Sequence, residues 1–251
     1  MTGQTIELIP IKRFPTVSVG DDIAQLTLSS IHENDVHLIE GDILVITHSI
    51  ISVAEGSLYE LASLEISEKA RQISKKAGED PKRVEAALRE SVSIIKDKPI
   101  LITKTKHRII TDFSGVDESN APLDTILALP NDPDSSAHKI HEAISEQLGF
   151  NVPVIVTDTQ GRPWRKGAVN LAIGVAGMSP FVVNKGKEDL YERELKGSLV
   201  CLADQIAAAA ELVMGQANEG IPVVLVRGIE FKAGDGKASD ILRKESEDLF
   251  S

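Results

Sequence analysis

Three runs of almost unbroken apolar residues set the terms for the fold: DILVITHS from Asp42, PVIVT from Pro153 and PVVLV from Pro222. Each has the length of a strand, and none alternates with polar residues as a strand with one wet face does. Such strands are buried on both sides, so the chain must supply covering elements above and below them. Helices are predicted from Asp21 or Asp22 to about Ser30, over Pro81–Lys96, over Ser135–Leu148 and over the alanine-rich Ser198–Met214. Val84, Ala87, Leu88, Ser91, Ile94 and Ile95 fall on one face of the second, with Asp80 as its cap. Further strands are predicted at Thr5–Ile11, Ile100–Lys104 and His107–Thr111. Strands and helices mix without the regular alternation of a doubly wound sheet, so the expected class is α+β with a mixed sheet. A length of 251 residues allows one large domain or two modest ones. The only internal seam the composition suggests is Pro130–Asp134.

Charge narrows the function classes. Lys and Arg number 27 against 38 Asp and Glu, a net charge of −11. A nucleic-acid partner held by a basic face and a polybasic membrane anchor are both unexpected on that balance. No stretch of about 18 uncharged apolar residues occurs, and the opening MTGQTIELIP lacks the basic flank and apolar core of a secretory signal. The chain therefore reads as cytoplasmic. Its one cysteine, Cys201, lies in an apolar run and reads as a small buried hydrophobe. His138 and His141 are three apart on a predicted helix, but no third ligand accompanies them, and a solvated helix face is the expectation.

Three segments concentrate chemistry. The first runs from Val156 to Gly167 just after a buried strand, a position where loops present functional groups. Its Asp158 and Thr159 offer oxygen to a hard divalent cation, and Arg162 and Arg165 offer forked donors for phosphate or carboxylate. The second, Asp112–Asn120, gathers acid, hydroxyl and amide oxygens suited to Mg²⁺ or Mn²⁺. The third, Met214–Gly220, follows the alanine-rich helix with backbone able to approach a ligand, or simply to end that helix.

In order along the chain, these segments and their surroundings resemble the coenzyme F420:L-glutamate ligases, the γ-glutamyl ligases of a deazaflavin cofactor. The resemblance runs through LIPIKRFPTVSVGDDIA from Leu8, EGDILVITHSIISVAEG from Glu40, SGVDESN from Ser114 and LPNDPDSSA from Leu129. It continues through TDTQGRPWRKGAVNLAIGVAG from Thr157, LADQIAAAAELVMG from Leu202 and IPVVLVRG from Ile221. It implies a single ligase-type domain over residues 1–251 and an intertwined homodimer. It also implies GTP as a substrate, Mg²⁺ or Mn²⁺ as cofactor with a monovalent cation beside it, and L-glutamate and the deazaflavin precursor as the other small-molecule substrates. The implied chemistry is an acyl phosphate on the precursor, attacked by the glutamate amine. By resemblance, Asp117, Asp158, Thr159 and Gln216 stand at the metal positions. Asp158, Arg162 and Arg165 are the catalytic candidates. Phe14, Pro15, Thr16, Val17, His48, Ser49, Asn120, Met214, Gly215, Gln216, Ala217, Asn218 and Glu219 are the nucleotide-binding candidates.

Four departures are expected to fall on the implied site. Val53 stands where the family usually has lysine, in S-K-A-E-G. Gln216 replaces a carboxylate, and Val183 falls where aspartate is frequent. The segment Phe113–Asp117 replaces N-A-G-I-D. Two alternatives stay open on these grounds: a ligase of the same type with another acceptor, amino acid or nucleotide, and a binding paralogue without nucleotide-dependent activity.

Overall fold

The three apolar runs lie side by side in one sheet. A computed structural model describes residues 5–249; the first four residues of the segment read against a secretory signal lie outside it. The chain opens with β1 (Glu7–Pro10) and α1 (Ile23–Glu33), the latter capped by Asp22, whose Oδ1 accepts from the Gln25 amide at 3.1 Å. Next, β2 (Ile43–Thr47) runs without a break into α2 (His48–Glu55). A small lobe follows, made of β3 (Leu58–Glu60), α3 (Glu68–Ala77), α4 (Pro81–Glu90), β4 (Ser91–Lys96), β5 (Ile102–Thr105), β6 (Ile110–Asp112) and β7 (Thr125–Leu127). The chain then forms α5 (Pro133–Leu148), the hairpin β8 (Val154–Arg162) and β9 (Arg165–Ala176), and the short strands β10 (Phe181–Val183) and β11 (Leu199–Cys201). It closes with α6 (Leu202–Met214) and β12 (Val223–Arg227).

The main sheet has the order β1-β12-β2-β8-β9, with β2 and β8 parallel and the other neighbours antiparallel. Its strands bury both faces. Leu44, Ile46, Val154, Val156, Val223 and Leu225 pack toward α1, α2 and α5, while Ile43, Val45, Ile155, Val224 and Val226 pack toward α6. That two-sided cover is why the runs carry no polar alternation. The small lobe has a third core around Val84, Ala87, Leu101, Phe113 and Ile126. The architecture is α+β, a five-stranded mixed sheet with three small antiparallel sheets beside it. Pro130 and Pro133 are buried, and Asp134 accepts amides from Val175, Ala238 and Ser239, so the 130–134 stretch ties α5 to β9 and the C-terminal segment.

Several predicted elements are corrected. The helix over Pro81–Lys96 ends at Glu90, because Ser91 turns extended (φ −96°, ψ 146°) and Ser91–Lys96 pairs with β5. The β-branched Val92, Ile94 and Ile95 suit that strand better than another turn of helix. The helix over Ser198–Met214 begins only at Leu202, since Leu199–Cys201 pairs with β10. The segment after PVIVT is no loop: β8 continues through it to the hairpin tip, where Arg162 faces Arg165 across Pro163 and Trp164. Helix α2 escaped prediction because it continues an apolar run with no punctuation, and α3 because it buries only Ala70 and Ile73.

Two consequences are measurable. A Cβ at Gly174 on β9 would stand 2.2 Å from the Pro133 carbonyl oxygen at the start of α5. Gly174→Ala therefore pushes the helix off the sheet, with an expected loss of about 1–3 kcal/mol readable by denaturant unfolding; a loss below 0.5 kcal/mol, roughly the scale of an ordinary surface substitution, would contradict this packing. Cys201 is half-buried rather than fully buried, and burial pushes its thiol up to about 12. Only the thiolate reacts, so alkylation at pH 8 is expected about a thousandfold slower in the native chain than in the denatured one. Equal rates would contradict it.

Candidate active site

Parallel strands deliver their carboxyl ends to the same edge of a sheet, where α/β proteins place ligands. Here Thr47 ends β2 opposite Thr157 of β8, so His48 and Asp158 follow side by side. His48 begins α2; its Nδ1 lies 3.2 Å from Ser52 Oγ and its Nε2 3.4 Å from Asp158 Oδ1. Gln160 Nε2 donates to Asp158 Oδ2 at 3.3 Å. Asp158 is only 8% exposed, and burial pushes its carboxyl above the usual range, an effect the nearby Asp112 adds to and His48 opposes.

A cleft of about 870 Å³ opens over this edge. It is lined by Phe14, Pro15, Thr16 and Val17 from the segment after β1, by His48 and Ser49, and by Asp117 and Asn120 beyond β6. Asp158 and Thr159 of β8 line it, as do Met214 at the end of α6 and Gly215, Gln216, Ala217 and Glu219 after it. Asn218, Arg162 and Arg165 do not. The Arg162 guanidinium donates to the carbonyls of Lys166 and Gly167 within its own hairpin, and Arg165 is exposed at the tip.

Two anchors shape the walls. Thr159 Oγ1 donates to Asn170 Oδ1 and accepts from Gln216 Nε2 at 2.8 Å, while Gln216 also donates to Glu211. Glu211 in turn accepts the Asn170 amide at 2.7 Å. Gly215 takes a left-handed φ of 72°, letting the chain turn so that Glu219 accepts the Ala217 amide at 2.8 Å. On the opposite wall, Phe113, Ser114 and Gly115 are successive residues with positive φ. Ser114 Oγ fixes this turn by donating to the Ala87 carbonyl at 2.8 Å, with Thr103 Oγ1 2.7 Å away. The turn sets Asp112 and Asp117 against the cleft, and Asp117 accepts the amides of Glu118 and Ser119 as well as the Ser119 hydroxyl. Asn170, Glu211 and Arg83, which also border or brace the cleft, escaped sequence reading because each reads as an ordinary strand or helix residue.

The departures separate in space. Val53 lines the cleft while packing in the core, Gln216 is wired to Thr159 and Glu211, and Phe113–Asp117 forms the strained turn. Val183, expected at the site, is exposed on β10 and outside the lining. The histidine pair on α5 meets ordinary partners: His141 Nδ1 lies 2.9 Å from the Val152 carbonyl and His138 pairs with Glu142.

For a divalent cation the donor chemistry is apt. Among the described residues no three His, Cys, Asp or Glu side chains converge as a complete cage. Mg²⁺ needs none, since it commonly takes one or two carboxylates and fills the remainder with water and substrate phosphate. Asp117 and Asp158 are such carboxylates on one cleft, and the buried Asp158 has His48 as its one ion-pair partner among the described residues. A buried carboxylate of this kind suits an added cation, which favours its ionised form. No helix among the described residues is long and apolar enough to cross a membrane.

Fold and site together define an α+β protein with a large cleft in which carboxylate, hydroxyl and amide oxygens suit a small charged ligand and a hard cation. A family model described as F420-0:Gamma-glutamyl ligase matches residues 12–228. The coenzyme F420:L-glutamate ligase of Methanothermobacter thermautotrophicus is 44% identical over 248 residues, 98% of each chain. That of Methanopyrus kandleri is 44% identical over 250 residues, 98% of this chain and 96% of the relative. That of Archaeoglobus fulgidus is 40% identical over 245 residues, with the same coverage. The chain belongs to the F420-0:gamma-glutamyl ligase family.

Proposed function

We propose that this chain joins L-glutamate to a carboxylate of the deazaflavin coenzyme F420 precursor, using GTP and Mg²⁺ or Mn²⁺. Full-length likeness to proteins named as glutamate ligases supports the reaction class. One observation of the cleft carries the mechanism: Asp158, almost fully buried, lines the same cleft as Asp117, Thr159 and every nucleotide-binding candidate except Asn218. A volume of about 870 Å³ accommodates a nucleotide together with a second substrate.

In the proposed sequence, an acceptor carboxylate oxygen attacks the γ-phosphorus of GTP and GDP departs. The glutamate amine then attacks the acyl carbon, phosphate leaves, and the amine gives a proton to solvent. Asp117 and Asp158, with the Thr159 hydroxyl, would hold the cation. Bound there, Mg²⁺ or Mn²⁺ would offset phosphate charge, a contribution of several kcal/mol. The Phe14–Val17 segment, His48, Ser49, Asn120 and the loop after Met214 flank the nucleotide. Arg162 and Arg165, on the hairpin tip, are placed to meet only a part of the acceptor that extends beyond the cleft. Exposed Val92, Ile95 and Ile110 on the small three-stranded sheet support a homodimer that covers them.

The acyl phosphate is tested with an acceptor carrying ¹⁸O in its carboxylate. The expected result is one ¹⁸O in each released phosphate; unlabelled phosphate alongside product formation would remove the acyl phosphate. Gln216→Glu sets a second carboxylate against Glu211, so it is expected to lower the melting temperature without metal and to enlarge the rise caused by Mn²⁺. An unchanged response to Mn²⁺ would take position 216 out of the metal site.

A further inference from the structure

We propose that Arg83 is the cleft's binding residue for a substrate oxyanion, a contact that no motif in the chain announces. Among the described residues Arg83 is the only Lys or Arg in the lining, which also carries Asp112, Asp117, Asp158 and Glu219. Unbalanced acid would repel the phosphates and carboxylates that a ligase must gather, and a guanidinium offers them a forked, permanently charged partner. The residue is third in α4, a helix held at its start by Asp80, which accepts the Lys82 and Arg83 amides. Its guanidinium carbon lies 4.2 Å from the centre of the Phe113 ring. Phe113 is itself fixed, since it sits in the left-handed turn that Ser114 anchors to α4. A guanidinium laid on a rigid ring is oriented before any ligand arrives, which reduces the entropy lost on binding.

Its donors are only partly engaged: Nε is buried and makes no hydrogen bond, and the ion pair of one terminal nitrogen with Glu79 Oε2 is long, at 4.0 Å. The side chain is 33% exposed, so an incoming anion can reach it. A buried donor without a partner costs folding free energy and is expected to find one in the functional state. A phosphate of the nucleotide and the carboxylate of glutamate share the required chemistry. The choice between them rests on the functional reading above; the anion-binding role does not.

The test is calorimetric titration of the native chain, R83Q and R83K with tripolyphosphate plus Mg²⁺ and, separately, with L-glutamate, alongside melting curves. One probe is expected to bind R83Q at least tenfold more weakly than the native chain, with the other probe and the melting temperature unchanged. R83K is expected to recover only part of the loss, because an ammonium lacks the fork and the stacking plane. A loss for tripolyphosphate assigns Arg83 to the nucleotide, and a loss for glutamate assigns it to the amino acid. Equal affinities in all three proteins overturn the proposal, as does a native chain that binds neither probe. A loss of both probes together with a lower melting temperature in both variants also overturns it, since Arg83 would then only pack on Phe113. Neither titration needs turnover, so a native chain inactive as a glutamate ligase would sink the functional reading and leave this one standing.

Discussion

Replacing Asp158 by asparagine is expected to lower turnover on the order of 100- to 1,000-fold, the effect of removing one preorganised electrostatic group. The same substitution is expected to leave the melting temperature of chelator-treated protein unchanged or slightly higher. The two halves follow from one geometry. Asp158 is buried, its nearest ion-pair partner is a histidine at 3.4 Å, and burial holds its carboxyl above the usual range. A folded-state pKa above the unfolded value means that the ionised form opposes folding at neutral pH, and that this cost disappears as pH falls below the unfolded pKa. An amide of the same shape removes the charge and still accepts from Gln160 and the Thr159 amide. The site thus gives up stability for function, a known pattern at active sites. Steady-state rates with saturating Mn²⁺ and a thermal melt in chelator check both halves. Near-normal turnover would take Asp158 out of the mechanism, and a melting temperature several degrees lower would make it a structural residue.

The opposite signature is expected at the far end of the same sheet. Asp42, fully buried just before β2, accepts from Arg227 Nε and from one Arg227 terminal nitrogen, both at 2.8 Å, and from the Ile39 amide at 2.9 Å. Arg227 also donates to the His37 carbonyl at 2.8 Å. Because β12 runs antiparallel to β2, this pair sits level with Ile43, away from the Thr47 end where the cleft opens. Arg227→Ala strands a buried carboxylate, which costs about 3–5 kcal/mol when no water reaches it. Arg227 is 28% exposed, so the expected loss is at the low end, about 3 kcal/mol. For a chain of this size that lowers the melting temperature by about 6–12 °C. Turnover per folded molecule at 20 °C is expected to stay within twofold. A loss under 1 kcal/mol would mean that water replaces the guanidinium; a collapse of turnover in the folded variant would mean that this end of the sheet reaches the site.

What could be read in advance divides along physical lines. The central strands were legible because burial on both faces leaves an unbroken apolar run, and α5 because Ala137, Ile140 and Ile144 recur at helical spacing, although it starts at Pro133 rather than Ser135. The boundary at Ser91 was not legible: Val92, Ile94 and Ile95 satisfy a helical face and a strand alike, and only pairing with Thr103 and Thr105 decides between them. At the site, Asp117, Asp158 and Thr159 stood out as oxygen donors in dense local segments. Arg162 and Arg165 stood out for the same density, yet the hairpin carries them away from the cleft. Arg83, Asn170 and Glu211 reach it by tertiary packing alone, from positions whose neighbours in sequence say nothing about it. Spacing along one chain identifies clusters within a segment and is blind to clusters assembled from several.

Glutamate ligation in the cleft between β2, β8 and the loop after α6 is tested most directly by mixing the native chain with the deazaflavin precursor, L-glutamate, GTP and Mn²⁺, following the acceptor by mass spectrometry and the nucleotide by chromatography. The expected product is acceptor carrying one or more added glutamyl residues, with one GDP formed for each. A folded protein that binds nucleotide and metal yet adds no glutamate with GTP or ATP would contradict it.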